Sequence, residues 1–493
     1  MGENRIIGFG KKHGRQLIFL LAALFLFALY SVPSIGLLGA GKRGMAAILA
    51  GAVLLAALIA CLRLRVPETA VMGGLLLVLS AAYLTAFPPG TMPDEESHFL
   101  RAYEVAQGGF ISRHMAPDGA GGDTMPKALR HYADPEAVID PADSEDRRFG
   151  NTALYSPVSY LPQALGIRAA LMFTRRAQAV FYAGRAANAL VSVLLCVLAL
   201  RLMPFGKEVL FLLLAFPVTG QALGSLSPDG FTIALAALFT AQALRLRFTP
   251  ARLMPGFAWM GLAGLALSQC KIVYIVLLLL ALLVPDGKFA SRRQALLRKL
   301  GLLFAALALN LAWLAVSAGY LVEFNPGVDS GAQVRYVLSH LPAYALVCLR
   351  TIYSDLEIWI TSAIAQNMGR LEVSVHPLAA LGFYTLLLYA LMNSTSGGHR
   401  LTLETGIVLL AVFLLGCGLI FTSLYVQWTP LGSKLVHGIQ GRYFTPLLPA
   451  LCSFMLLLRN KKEPKPRAMG AYLCLGALAF NGIALLSVVH FYG

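Results

Sequence analysis

Long apolar runs separated by short polar gaps dominate this chain. They fall near 16–38, 45–62, 69–87, 178–200, 209–224, 229–244, 255–269, 272–285, 299–321, 377–392, 404–427, 443–458 and 470–488. Most lack the two-residue alternation of a half-buried strand and predict helices that are apolar on all sides. A full crossing of a bilayer takes roughly 17–25 residues. The runs between 209 and 285 are short by that measure, so a pair of them could be re-entrant. The pattern predicts an all-α polytopic membrane protein with about 13 transmembrane helices, within a range of about 11–14. The first run reads as a retained helix, because no convincing small-residue cleavage site precedes the second.

Composition sharpens that reading. Of 493 residues, 58% are hydrophobic and only 13% charged, and the mean hydropathy is +0.70. A soluble chain carries roughly a quarter charged residues. The net charge of +16 is spread over short gaps between apolar runs, which excludes a nucleic-acid-binding stripe and points to membrane lipids as neighbours. The cysteines, at 61, 196, 270, 348, 417, 452 and 474, form no CxxC or Cys/His pattern, so neither a disulfide framework nor a structural zinc site is expected. The basic gaps at 11–15, 63–65, 245–252, 288–299 and 459–467 fall on one side if the crossings alternate; GKRG at 41–44 falls on the other. The positive-inside rule makes the first side cytoplasmic, with the N-terminus. The chain then divides into N-terminal helices (1–87), a large first extracytoplasmic loop with short juxtamembrane helices (88–177), further transmembrane helices (178–321), a second extracytoplasmic segment (322–376) and C-terminal helices (377–493).

About half of the acidic residues lie between 88 and 150. Those from Asp134 to Asp146 read as a solvated loop. "MPDEESHFLRAYE" at 92–104 is different. Pro88, Pro89 and Pro93 end the preceding span, and a short helix is expected from about Asp94 to Gln107. Asp94 suits its N-cap, and acids suit its first turn. Asp94, His98 and Arg101 recur at i, i+4 and i+7, which sets carboxylate, imidazole and guanidinium along one side. Such a carboxylate can serve as general base for a hydroxyl, with His98 and Arg101 holding it or a phosphate. Glu95 and His98 could share a divalent cation, although two ligands do not make a site. Glu96 is expected to face water.

Further candidates stand where polar residues interrupt apolar runs. Tyr155 and Tyr160 can anchor at the membrane interface, stack on a sugar or shape a lipid entrance. Arg185 lies inside an apolar run, where an ionisable group is costly unless paired or functional. Asp229 in "GSLSPDGF" can cap the next helix or act in a site. Lys271 in "SQCK" can snorkel or meet a lipid-linked phosphate. Arg350, Asp355 and Glu357 mark the second outer segment. In "HGIQGRYFTPLLPA", 437–450, Arg442 stands where the next span begins and suits phosphate or pyrophosphate binding.

"PPGTMPDEESHFLRAYEVAQGG", "NTALYSPVSYLPQALG", "SLSPDG", Lys271 with Tyr274, and "GIQGRYFTPLLPA" together resemble the bacterial membrane family called domain of unknown function 2142. The match runs from about residue 80 to 460. The family's acidic pair after a proline, then His, Phe and Arg-Ala-Tyr, corresponds to Asp94, Glu95, His98, Phe99 and residues 101–103. Its Gln-Gly-Arg-Tyr-Phe is Gln440 to Phe444, with Arg442 and Tyr443 inside it. "GTM" after Pro89 lengthens the family's usual spacing.

That family is similar in layout to the C-type glycosyltransferases, multispanning enzymes that use polyprenyl-phosphate sugars. The resemblance implies Asp94 as base, with Glu95 as alternate. Position and charge suggest Lys271 and Arg442 for the donor phosphate. The expected partners are an undecaprenyl-type phosphate sugar donor and an envelope glycan or glycolipid acceptor, met on the outer face of a bacterial inner membrane. No particular cofactor is implied, and a divalent cation is compatible. Rival readings are a polymerase or ligase acting on an undecaprenyl-pyrophosphate glycan, a lipid-linked glycan transporter, and an envelope-assembly scaffold.

Overall fold

The structure, a computed structural model, describes residues 67–116, 118–250, 253–320 and 326–492, so the runs expected at 16–38 and 45–62 lie outside the described residues. The described chain is mostly helical. Seven of its helices are long and apolar enough to cross a membrane: Glu68–Ala86, Ala177–Leu202, Asp229–Phe248, Arg292–Tyr320, Leu403–Gln427, Gly441–Arg459 and Met469–Tyr492. Ile272–Leu283 and Pro377–Asn393 are apolar but shorter.

The run at 209–224 is not one helix. Pro217 separates Lys207–Leu214 from Pro217–Leu223, since its ring removes a backbone donor and bars the preceding residue from helical geometry. The 12 residues of Ile272–Leu283 wind as a 3₁₀ helix. That winding rises about 2 Å per residue, so the segment reaches about 24 Å, further than an α-helix of equal length.

Asp229–Phe248 is the hub. It packs against Ala177–Leu202, Leu253–Cys270 and Ile272–Leu283. Its apolar stretch is 83% buried, against 22% for Arg292–Tyr320 and 28% for Leu403–Gln427. An all-round apolar helix belongs in such a centre. Its first residue, Asp229, is therefore carried to the middle of one end of the bundle.

The polar segment after Glu68–Ala86 covers that end. It holds helix Glu95–Ala106 and an antiparallel sheet of β1 (Arg113–Met115), β2 (Ala120–Pro126) and β3 (Ser144–Arg148). Gly122 in β2 pairs with Arg113 on one side and Arg148 on the other. Little in these strands predicts a sheet: "AGGDTMP" and "SEDRR" have no aromatic residue and a single β-branched one, Thr124. Helix Leu161–Leu171 then leads to Ala177–Leu202. Among the acids of 134–146, Glu136 meets Arg176 at 3.0 Å and Asp143 meets Lys127 at 2.5 Å, exposed pairs of small energetic weight.

Candidate active site

Three breaks in helical structure meet at the hub's end. Asp229 opens the central helix, but its side chain does not cap it. Lys271 is extended (φ −146°, ψ 125°) between Leu253–Cys270 and Ile272–Leu283. Ser159 donates to the carbonyls of Gln269 and Cys270, at 3.2 and 3.3 Å, which satisfies backbone left open by the break. Arg442 stands at the start of the 3₁₀ turn Gly441–Leu447. A Cβ on Gly441 would lie 2.2 Å from the Trp359 carbonyl oxygen, so only glycine lets this turn approach helix Leu341–Ser362.

These breaks bring together residues far apart in sequence. Lys271 Nζ lies 2.5 Å from Asp229 Oδ1, and Arg442 Nε lies 3.5 Å from Asp229 Oδ2. One carboxylate thus faces two cations, leaving the triad with surplus positive charge. The Tyr443 ring lies 5.1 Å from Lys271 Nζ and 5.5 Å from the Arg442 guanidinium, and Tyr155 lies 5.7 Å from Lys271 Nζ. Arg442 Nε is buried without a hydrogen-bond acceptor, and Gln440 Oε1 is buried without a donor.

A cavity of ≈ 120 Å³ lies on the Asp229 and Arg442 side. Its wall is rich in amides and hydroxyls, among them Ser227, Ser362, Gln366, Asn367 and Gln440. A second cavity, of ≈ 240 Å³, lies on the Lys271 side. Pro93, on the wall of the first, precedes Asp94.

Asp94 is exposed and adopts the left-handed backbone (φ 53°, ψ 21°). Its carboxylate makes no helix cap and takes no hydrogen bond or ion pair among the described residues. The expected capping role is therefore corrected: the backbone turns the side chain away before the helix begins.

Glu95 is placed very differently. Both its oxygens meet Arg185, at 2.7 and 2.6 Å, and they accept from Gly90 N at 3.1 Å and Leu226 N at 3.2 Å. Arg185 also donates to the carbonyls of Leu84, Phe87 and Pro88, at 2.9, 2.8 and 3.1 Å. It thereby caps carbonyls left open at the end of Glu68–Ala86. Both side chains are fully buried. Arg185 is thus structurally committed, away from the cation pair. With Glu95 wholly engaged, its suggested cation site with His98 is not assembled, and no group of three or more metal-ligating side chains occurs among the described residues.

Arg101 follows His98 by three residues in the same helix, and its guanidinium is committed to Glu104, three residues further along. Arg101 also donates to Ser112 Oγ at 3.2 Å and to the Phe110 carbonyl at 2.9 Å. Glu96 faces water as expected, with its side chain 41% exposed, and also pairs with Arg147.

His98 Nδ1 lies 2.8 Å from the Tyr160 hydroxyl, and both side chains are buried. Burial pushes the imidazole down to about 3, against an upward pull from Asp229. It is therefore neutral near pH 7 and is no counter-ion for phosphate. The unfolded chain takes a proton near 6.5, whereas the folded chain resists until about 3. Stability held above pH 6.5 is accordingly lost as pH falls through that window, by at most about 1.4 kcal/mol per unit. His98→Gln should flatten this slope in thermal unfolding of detergent-solubilised protein between pH 7 and 5. Equal slopes for variant and parent would refute it.

A family model described as a predicted membrane protein, domain of unknown function 2142, matches residues 75–451. The chain belongs to that family. No curated protein and no solved structure matches. The matched span includes Asp94, Asp229, Lys271 and Arg442. Sequence reading singled out these four, but not the amides and hydroxyls of Ser362, Gln366 and Asn367. Those lie at the end of helix Leu341–Ser362 and in the stretch after it, whose position against 437–442 is set only by the fold.

Proposed function

We propose that this family member is a glycosyltransferase that moves a sugar from a polyprenyl-phosphate donor to a cell-envelope glycan or glycolipid. The observation that carries the reading is the Asp229–Lys271–Arg442 cluster, with an unpartnered carboxylate, Asp94, next in the chain to Pro93 on the wall of the cavity that Arg442 also lines. Lys271 and Arg442 hold the donor phosphate. Asp94 takes the proton of the acceptor hydroxyl as its oxygen attacks the anomeric carbon. The bond from that carbon to the phosphate oxygen breaks, and the polyprenyl phosphate leaves with the electron pair. A single displacement inverts the carbon. Cations already in place where negative charge develops are the largest source of acceleration such a site has. The triad's surplus of one positive charge balances the one negative charge of a phosphodiester, which favours a monophosphate donor over a pyrophosphate.

In this reading the enzyme is a multi-pass protein of the bacterial inner membrane. It has about thirteen crossings, within a range of about 11–14, in a C-type glycosyltransferase layout, a cytoplasmic N-terminus and its site on the outer face. The decisive assay supplies purified protein with a radiolabelled polyprenyl-phosphate sugar and envelope acceptors. Comparison of envelope glycans by mass spectrometry, with and without the gene, names the sugar. Unchanged glycans and no transfer would favour a transporter or scaffold.

Arg442→Gln should weaken polyprenyl-phosphate binding roughly ten- to a hundredfold, the weight of a charge-assisted hydrogen bond. The loss should be greater at low salt, since screening weakens the attraction that the parent enjoys. Arg350→Gln, at an exposed cation, is the control. Equal effects of the two substitutions would remove Arg442 from the phosphate site.

A further inference from the structure

We propose that the cavity between Arg292–Ser317 and Leu403–Gln427 seats a phosphate-bearing polyprenyl lipid, with its phosphate at Lys271 and its first isoprene units along Ile272–Leu283. The inference rests on the reading above and extends it to the hydrocarbon part of the donor. Both flanking helices pack on Ile272–Leu283, which forms the floor between them. They are the two least buried of the seven long apolar helices. Leu307, Leu311, Leu414 and Leu415 are exposed on them, so bilayer hydrocarbon borders the groove on both sides.

The cavity's lining is ordered as an amphipathic ligand requires. Val273, Leu314, Ile420 and Leu424 supply apolar wall, and Lys271 with Tyr155 and Tyr443 supplies a cationic and aromatic end. Two of the polar groups in the wall are already used. Asn310 Nδ2 donates to the Ala306 carbonyl at 2.8 Å, and Trp313 Nε1 donates to the Leu154 carbonyl at 2.8 Å. Gln269 Nε2 is different: it is buried and has no acceptor. An unspent amide donor two residues from an ammonium suits a phosphate oxygen. At ≈ 240 Å³ the cavity takes one chain beside a phosphate, not the paired chains of a glycerophospholipid.

The test uses the full chain in nanodiscs of phosphatidylethanolamine and phosphatidylglycerol, with farnesyl phosphate carrying a diazirine. After illumination, adducts are mapped by mass spectrometry. They are expected within 310–317 and 420–427, and excess unlabelled polyprenyl phosphate should remove them. Ser423→Trp, which fills the cavity, should cut labelling at least tenfold. Gln427→Trp, at its exposed margin, should do the same without burdening the fold. Leu414→Trp, on the lipid-facing side outside the cavity, should leave labelling unchanged. Adducts spread evenly over the apolar helices, full labelling of both cavity variants, or equal competition by phosphatidylglycerol would overturn the assignment. Labelling needs no turnover, so the two readings fail separately. Labelled cavity residues without transfer would overturn only the enzyme, and transfer with labels elsewhere would overturn only the lipid seat.

Discussion

Asp94→Asn should abolish glycosyl transfer, lowering turnover by about 10²–10⁴, the usual contribution of a general base. Donor binding and thermal stability should survive. The side chain is exposed and holds no hydrogen bond or ion pair, so neutralising it strands no buried partner. The backbone at φ 53° is also retained, because asparagine tolerates the left-handed region as well as aspartate does. Alanine is a poorer probe: a Cβ without the local polar compensation costs about 1–2 kcal/mol there, mixing strain with chemistry. Radiolabel transfer, polyprenyl-phosphate binding and thermal unfolding, measured together, separate the two. Full turnover by D94N would end the base assignment and move attention to Asp229, the carboxylate already on the cations.

The left-handed turn also explains why two neighbouring acids part company. Glu95 begins the helix and points inward to Arg185, whereas Asp94 is turned out before it. Periodicity alone places both near one edge and says nothing of this division. Among the described residues, seven long apolar helices follow runs that are continuous in the sequence, whereas Pro217 divides the run at 209–224 into two short helices. Lys271 and Arg442 were legible because a cation interrupting apolar sequence must be explained. The β1–β3 sheet was not legible, because register there rests on surface ion pairs and tight glycines in place of a buried alternating face. Nor was Arg185's partner, which lies 90 positions away across the loop. The buried cation demanded an acid, but several acids in 94–104 met that demand until the fold chose Glu95.

Arg185→Met should be the most destabilising single substitution at this end of the bundle. It strands Glu95 with no counter-charge, and breaking a buried pair costs about 3–5 kcal/mol. It also leaves the carbonyls of Leu84, Phe87 and Pro88 without their guanidinium donor. Glu95→Gln alone should cost less, and Glu95→Gln with Arg185→Met should recover part of the loss, because removing both charges is gentler than stranding one. Thermal unfolding of the four proteins in one detergent gives the comparison. The same set decides what Glu95 does. If it positions the loop, transfer by the Glu95→Gln variant falls only as far as the fold loosens, and in the double variant transfer follows the part of the stability that is recovered. If it is the base, Glu95→Gln loses transfer at near-parental stability, and no second substitution restores it. The hydrogen bonds favour the first outcome: every lone pair of Glu95 is engaged, by Arg185, Gly90 and Leu226, leaving none to receive a substrate proton.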